Sequence, residues 1–317
     1  MNDITDTVRT SIGKYVVGRQ SFEGNFDGNG FKIVLGIVNP SSHTGLFGCV
    51  GSKNINVTIS NVTVEGYIIK NSGSGDGSVG GILGISASNY TLTIENCINN
   101  CDVTTTVPVS YVGGIIGFIS AVGNRIIENC INSGKVSGDI AVGGISGMPY
   151  GNAIIRNCLN IGDIKGNSSV GGIASFQEIS TLTSNITISN CANYGLVVGN
   201  DRVGGIMGYF KAGTVSNCFN SGVVIGNANV GGIIGYRNNG TVSNCHYDKQ
   251  MCGYGGINNT DVARQAVGYL TNEMTGTQLQ SKLGTNFTYA TNLYPMLTAL
   301  SSHPASSADE VTVIVAA

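Results

Sequence analysis

A short motif, Val-Gly-Gly-Ile, returns along the chain and limits the folds that this sequence can adopt. It begins at six positions: Val79, Val112, Val142, Val170, Val203 and Val230. The intervals between them are 33, 30, 28, 33 and 27 residues. An Asn-Cys pair keeps step with it, and its asparagines are Asn96, Asn129, Asn157, Asn190, Asn217 and Asn244. Units of this length, repeated in register, are typical of solenoid proteins.

Each unit contains three short apolar runs separated by Gly or Asn, as residues 203–227 show. Such runs predict three strands and three corners per coil. A single coil cannot pair its strand edges or cover its apolar face, whereas a stack of coils does both. A diverged copy at 44–48 and 60–62 brings the number of units to seven. The sequence therefore predicts an all-β parallel β-helix, a β-solenoid of about seven three-stranded coils with terminal caps.

Composition agrees with many turns and few solvated helices. The 317 residues include 48 glycines, 5 prolines and no tryptophan, and only 11% are charged. The formal net charge of -2 offers no basic stripe, which argues against a nucleic-acid partner. No apolar run is long enough for a membrane span, so membrane insertion is not expected. The glycine-rich turns lack the strand-to-helix context of a dinucleotide site, and no cofactor is predicted.

The asparagine before each cysteine is predicted to be a corner. Asn tolerates the left-handed backbone conformation, and its amide can bond the asparagine of the next coil in a structural ladder. A corner turns the following cysteine inward, while a flat strand would expose a column of thiols, and both alternatives stand at this point. Neighbouring coils lie about 4.8 Å apart, wider than the roughly 3.8 Å Cβ separation of a disulfide, so free and buried thiols are expected. The column comprises Cys97, Cys130, Cys158, Cys191, Cys218 and Cys245.

Two outward positions carry charge, and a third carries aromatic residues. The repeat predicts ladder pairs between Glu128 and Arg156 and between Lys135 and Asp163. The position after each Gly-Ile-x-Gly holds Ile85, Phe118, Met148, Phe176, Tyr209 and Tyr236. Its aromatic members, Phe118, Phe176, Tyr209 and Tyr236, are candidate ligand-facing residues that either stack on sugar rings or pack into a core or corner.

Length variation is concentrated in one connection of the repeat, between Gly-Ile-x-Gly and Asn-Cys. This connection is long at 86–92, 119–125 and 177–186, and short at 211–213 and 237–240. One edge of the solenoid is therefore predicted to carry loops of different sizes, where repeat proteins usually place their specificity.

The motifs GLFG, GILG, GIIG, GISG and GIMG resemble the GLUG motif of repetitive surface proteins of bacteria and some protists. The resemblance extends to SFEGNFDGNGFKIVLGI at 21–37, similar to an opening coil, and to NLYPMLTAL at 292–300, similar to a closing segment. One copy departs, because Ser175 replaces the second glycine, and this predicts a reshaped corner. The resemblance implies a right-handed parallel β-helix in a secreted or cell-surface protein, often adhesive, without known catalysis in the repeat.

The chain divides by register into an opening coil at 1–43, repeats at 44–247, a C-terminal cap with a short helix at 248–300, and a linker with a terminal strand at 301–317. The helix is predicted at 275–283, where it would cover the last open sheet edge.

The sequence favours a structural or adhesive module that binds a host, glycan or protein surface through the variable loops. An extracellular or cell-surface location is expected although 1–13 has no signal-peptide pattern, and the solenoid ends offer a route to self-association. The alternative is a carbohydrate-active parallel β-helix enzyme, of the polysaccharide lyase or glycoside hydrolase type. Such enzymes need clustered carboxylates or a carboxylate-bound calcium, and the repeat alignment shows no such cluster. No catalytic, cofactor-binding or metal-binding residue is therefore predicted. Ice binding would require a regular Thr column, which the chain lacks.

Overall fold

The computed structural model describes residues 4–14, 21–40, 43–51, 55–72, 77–87, 91–107, 111–119, 123–176 and 185–300. Over these residues the chain is a parallel β-solenoid of about seven turns with very little helix, so the predicted fold class is confirmed. Equivalent residues of successive repeats are direct partners, as Val112 is of both Val79 and Val142. The sequence repeat is therefore also the spatial register.

Each regular coil passes through four parallel sheets, which we call A to D in chain order. Sheet A contains Val79–Gly80, Val112–Gly113, Ile140–Gly143, Ser168–Gly171, Asp201–Gly204 and Ala228–Gly231. Sheet B contains Phe47–Val50, Leu83–Ser86, Ile116–Ile119, Ser146–Met148, Ala174–Phe176, Met207–Phe210 and Ile234–Arg237. Sheet C contains Asn25–Asp27, Val57–Ser60, Leu92–Glu95, Asn124–Glu128, Asn152–Arg156, Ile186–Ser189, Gly213–Ser216 and Thr241–Ser243.

Sheet D begins with four long strands and then divides into two branches. The long strands are Ile4–Val8, Lys32–Val38, Thr63–Lys70 and Ile98–Thr105. The first branch contains Ile131–Asn132, Leu159–Asn160, Ala192–Asn193, Phe219–Asn220, Cys245–Asp248 and Ala266–Tyr269. The second contains Val136–Ser137, Ile164–Lys165, Val197–Val198 and Val224–Ile225.

The coil has more strands than the three apolar runs suggest. The Val-Gly-Gly-Ile-Ile run bends at its glycines and contributes one strand to sheet A and another to sheet B. Inward residues from all four sheets form one continuous core along the axis, with fully buried members such as Val112, Ile115 and Ile127. Burying one such side chain contributes about 1.5 to 3 kcal/mol, so the stack is held mainly by this core.

A second apolar cluster lies outside the coils, on the flank of sheet D. The residue after each of the first five column cysteines points away from the core, and together these residues form what we call the flank stripe: Ile98, Ile131, Leu159, Ala192 and Phe219. The C-terminal residues 271–300, which we call the strap, cover it with Met274, Leu279, Leu283, Phe287, Tyr294, Leu297 and Leu300. The strap contains helices Thr271–Met274 and Gln280–Leu283, 3-10 turns Gly284–Asn286 and Thr298–Leu300, and an antiparallel pair, Phe287–Thr288 with Met296–Leu297.

The helix predicted at 275–283 is therefore wrong in extent and in role. Only Gln280–Leu283 of that range is α-helical, and Gly276 interrupts the segment with a left-handed φ of 65°. The segment lies along the side of the stack and does not close its end. The chain before it closes the last coil, because Gly232 N–H donates to Gly255 O at 3.0 Å and Ile233 N–H to Gly256 O at 2.9 Å.

The N-terminal end is closed by chain that departs from the repeat, as predicted for a cap. Ile4–Val8 adds a parallel strand beside Lys32–Val38. The rings of Phe22 and Phe26 pack on Phe47, with centroids 4.8 and 5.2 Å away. The predicted linker and terminal strand at 301–317 lie outside the described residues. In the part of the chain that is described, no helix is long and apolar enough to cross a membrane.

The strap is anchored at the last coil by buried polar groups. Asp248 Oδ2 accepts hydrogen bonds from Tyr294 Oη and Thr271 Oγ1, both at 2.6 Å. Asn244 Nδ2 donates to Lys282 O at 2.8 Å, while Asn244 Oδ1 lies 3.0 Å from His246 Nε2. The carboxylate of Asp248 is fully buried, so these bonds also satisfy a group whose burial would otherwise be costly.

We predict that deleting residues 271–317 exposes the flank stripe and leaves the solenoid core intact. Hydrophobic stabilisation of about 25 cal/mol per Å² would be lost along the flank and not at the stack end. The truncated chain should keep its β-type circular dichroism but bind a hydrophobic dye and associate sideways, as seen by light scattering and electron microscopy. Deleting only 301–317 is the control. A truncated chain that stays monomeric and binds no dye would contradict the role of the strap.

A second prediction concerns His246, whose burial, together with the nearby Lys282 cation, lowers its pKa from 6.5 to about 4. The unfolded chain then binds this proton at a higher pH than the folded chain does. The contribution of His246 to the free energy of unfolding is therefore fully present above pH 6.5 and is lost as the pH drops toward 4. Lowering the pH from 7.5 to 5.5 should cost on the order of 1 kcal/mol at this site.

The measurement is urea unfolding at both pH values, compared with His246→Phe. Phe is the residue at the equivalent position of the preceding coil, Phe219. On acidification the variant should lose less free energy of unfolding than the wild type, by the amount assigned above to His246. Equal losses in the two proteins would show that His246 does not titrate in this way.

Candidate functional site

The predicted asparagine positions lie at corners and form an outer ladder. Asn96, Asn129, Asn157, Asn190, Asn217 and Asn244 all have left-handed φ values of 51 to 54°. Side-chain amides link successive coils: Asn129 Nδ2 donates to Asn96 Oδ1, and Asn157 Nδ2 to Asn129 Oδ1, both at 3.2 Å. The first coil takes part through Asp27, which accepts from Asn61 Nδ2 at 3.0 Å. The corner thus breaks the alternation of the strand and turns the next residue inward.

The cysteine column lies in the core. Cys97, Cys130, Cys158, Cys191, Cys218 and Cys245 are all fully buried and free of disulfides. Each thiol contacts a carbonyl of the preceding coil, as Cys130 Sγ does with Ile94 O at 3.6 Å. Desolvation raises the pKa of Cys97, Cys130 and Cys158 well above the ordinary value. These three thiols are therefore protonated packing groups at neutral pH.

A second, inner amide ladder was missed at the sequence level. It consists of the asparagines two residues after the column cysteines, all fully buried: Asn99, Asn132, Asn160, Asn193 and Asn220. Each of the first four donates from Nδ2 to Oδ1 of the next at 2.7 Å. Every member also donates to the carbonyl two residues ahead in its own coil, as Asn160 does to Gly162 O at 2.9 Å. The repeated pattern Asn-Cys-x-Asn was the signal available for it.

The inner ladder explains the second glycine of Val-Gly-Gly-Ile. A Cβ added at Gly114 would lie 2.2 Å from Asn132 Oδ1 and 2.2 Å from Gly144 O. Gly172 has the same relation to Asn193, with a Cβ 2.4 Å from its Cγ. The two motifs that define the sequence repeat are thus in direct contact. The second glycine of Val-Gly-Gly-Ile packs its backbone against the buried amide of the inner-ladder asparagine.

Only one of the two predicted surface charge pairs forms. Glu128 and Arg156 are register partners and form an ion pair at 2.6 Å. Lys135 and Asp163 lie in adjacent coils, but no ion pair joins them; the Lys135 N–H instead donates to Asp102 Oδ1 at 3.0 Å. Residues 135 and 163 both occupy an exposed corner, where hydration competes with a pair of this kind.

The corner at Ser175 is not reshaped. Ala174 keeps its partners Ser146 and Met207 in the neighbouring coils. The buried Ser175 hydroxyl donates to the Gly147 carbonyl of the coil below. A small side chain that finds its own acceptor is therefore accommodated where the other repeats have glycine.

The residues that follow Gly-Ile-x-Gly lie on the outer side of sheet B, where some are buried and others are partly exposed. Ile85 and Met148 are 4% and 3% exposed, while Phe118, Phe176, Tyr209 and Tyr236 are half-buried. Phe176, Tyr209 and Tyr236 form a stacked row, with centroids 5.2 and 5.6 Å apart. Phe118 stands apart from this row and packs against Tyr111 at 4.9 Å. Of the four predicted ligand-facing aromatics, three therefore form one surface.

Arg202 extends this surface and was not singled out from the sequence. Its guanidinium carbon lies 5.1 Å from the Tyr209 ring centroid and 6.0 Å from that of Tyr236. Its Nε lies 3.3 Å from Asp201 Oδ2, and Asp201 Oδ1 accepts from Asn229 Nδ2 at 2.6 Å. We call Tyr209, Tyr236, Arg202, Asp201 and Asn229 the tyrosine–arginine site.

The predicted loop edge follows sheet B directly. The short connections at 211–213 and 237–240 are described, but the variable parts of the long ones, 88–90, 120–122 and 177–184, lie outside the described residues. Among the residues that are described, no group of three or more His, Cys, Asp or Glu side chains could hold a metal ion.

Comparison with known proteins gives a distant structural likeness and no sequence relative. No family model and no curated protein sequence matches it. Among solved structures it is similar to that of a "putative immunoglobulin A1 protease" from Bacteroides ovatus, with 17% identity and a TM-score of 0.42 over 88% of each chain. At this identity and TM-score, the likeness does not identify an activity for this chain.

The inner ladder should matter more for stability than the outer one. Asn160→Ala removes the ladder acceptor of one Asn132 Nδ2–H and the ladder donor to Asn193 Oδ1, both buried, at a cost of about 2 to 3 kcal/mol. Asn157→Gly, the matched control in the same coil, keeps the left-handed corner and should cost less than about 1 kcal/mol. Guanidinium unfolding of both variants measures the difference. Equal losses would show that the buried ladder adds nothing beyond the corner.

Proposed function

We propose that this chain is a structural and adhesive module of a secreted or cell-surface protein, and that it binds a surface along the edge where sheet B meets the variable loops. The stack supplies a stiff rod because the core fixes every coil to its neighbours, and two amide ladders also join the central coils. A rod of this kind holds side chains of successive coils at fixed spacing, which suits an extended binding surface.

One observation carries the proposal: the half-buried row of Phe176, Tyr209 and Tyr236 stands on the outside of a rigid sheet, beside the loop edge. Aromatic rings with an apolar body and a polar tip are favoured at binding surfaces. Rigid placement also lowers the entropy lost when a ligand binds, because the side chains are already ordered. The connections that follow the sheet B strands in the sequence vary in length, and repeat proteins usually place their specificity in such connections.

The experiment is binding of the full chain to a glycan array and to cell surfaces, with a triple variant, Phe176→Ser, Tyr209→Ser and Tyr236→Ser, as comparison. We expect the chain to bind at least one glycan or surface and the triple variant to lose most of that binding while keeping the wild-type circular dichroism. The matched control is Tyr67→Ser, which removes an exposed ring from sheet D.

The alternative of a carbohydrate-active enzyme is tested on the same ligands. The chain is incubated with pectin, alginate and each bound glycan, with and without calcium, and new chain ends are measured. We expect no cleavage. Turnover that a single Asp or Glu substitution abolishes would contradict the adhesive proposal.

A further inference from the structure

We propose that the tyrosine–arginine site binds the carboxylate of an acidic sugar, and that the ligand is a linear uronate-containing glycan lying parallel to the solenoid axis. This inference rests on the proposed function and names its ligand class. It depends on three features of the site: a fixed guanidinium, a run of stacked rings, and a local excess of positive charge.

The Arg202 guanidinium is held in place before any ligand arrives. Its carbon lies over two rings, Tyr209 and Tyr236, and its Nε faces Asp201. Asp201 is in turn fixed by the amide of Asn229. Among the described residues, the terminal nitrogens of Arg202 make no hydrogen bond. A planar guanidinium with two such nitrogens matches a carboxylate in a bidentate pair, which a lysine cannot do.

The backbone at Arg202 is in the left-handed region, with φ of 56°. The equivalent residues in neighbouring coils share this conformation and are small or amide side chains: Ala141, Ser169 and Asn229. A long side chain is uncommon there, since the left-handed conformation favours Gly and Asn. The fold needs only the corner at this position, so the guanidinium itself is free to serve binding.

The rings repeat along the axis at a spacing suited to a chain of sugars. Ring centroids from Phe176 to Tyr209 and from Tyr209 to Tyr236 are 5.2 and 5.6 Å apart. This is close to the length of one pyranose unit in an extended β-linked chain. Because the rings stack on one another, successive sugars of a glycan running along the axis would each meet the exposed edge of one ring and, at Tyr209 and Tyr236, a hydroxyl that can hydrogen-bond to them.

Local charge favours an acidic ligand. Residues 200–240 contain three cations, Arg202, Lys211 and Arg237, against the single anion Asp201, which gives a net charge of +2. The whole chain has a net charge of -2, so the positive excess is a property of this part of the solenoid. A positive charge excess in this part of an otherwise acidic protein favours the approach of anionic ligands to it.

The test is calorimetric titration of the full chain with β-1,4-linked hexaglucuronate, and with cellohexaose as the neutral glycan of equal length and linkage. We expect hexaglucuronate to bind, more weakly as salt rises, and cellohexaose to bind at least tenfold more weakly. Arg202→Asn keeps the left-handed corner and should weaken hexaglucuronate binding at least tenfold. Arg202→Lys keeps the positive charge but cannot form the planar bidentate pair. Its affinity for the acidic glycan should therefore lie between those of the wild type and Arg202→Asn. The control, Lys165→Asn, removes an exposed cation from sheet D and should change nothing.

The outcomes separate this inference from the proposed function. Equal affinity for cellohexaose, or an unchanged affinity in Arg202→Asn, would overturn the acidic-sugar assignment. If the array and cell arms still show binding through the aromatic row, the adhesive role stands without it. If neither glycan, array nor cell surface is bound, both proposals are wrong.

Discussion

The buried amide ladder is the contact on which the stack depends. In the five coils from Asn99 to Asn220, each buried Asn is hydrogen-bonded to the Asn at the same position of a neighbouring coil, so a shift of register would leave polar groups unpaired in the core. Apolar residues alone would tolerate a shift of two residues, because such a shift keeps every aliphatic side chain on the core face. The ladder from Asn99 to Asn220 therefore fixes the register, and the hydrophobic core supplies most of the stability.

The two ladders run in opposite directions. In the outer ladder the later coil donates to the earlier one, as Asn157 does to Asn129, whereas in the inner ladder the earlier coil donates to the later, as Asn132 does to Asn160. Rows of aligned amides add their dipoles, and opposed rows cancel part of that sum. Both ends of the inner row meet residues that do not continue it, Val64 and Tyr247, so the row ends within the molecule.

Two rows of side chains on the outside of the coils differ in whether the protein covers them. The flank stripe of sheet D is covered by the strap, which Asp248 and Asn244 anchor to the last coil. The aromatic row of sheet B instead stays partly open and carries a charged neighbour, Arg202. An apolar row that the protein covers serves folding, while one left open beside polar groups is suited to a ligand.

The repeat in the sequence was enough to predict the fold class, the number of coils and the corner asparagines, because each follows from local backbone preference and the spacing of the repeat. It left open whether the column cysteines point into the core or into solvent, and the structure decided this. The repeat was also enough to identify Tyr209 and Tyr236 as one row. It did not reveal the inner ladder, since Asn160 is polar and polar residues are assumed to lie outside until a partner is seen. Only the tertiary structure decided that the C-terminal segment runs along the flank and that Arg202 lies over the rings. Both contacts join residues whose approach depends on how the coils stack, and no pattern in the chain encodes that geometry locally.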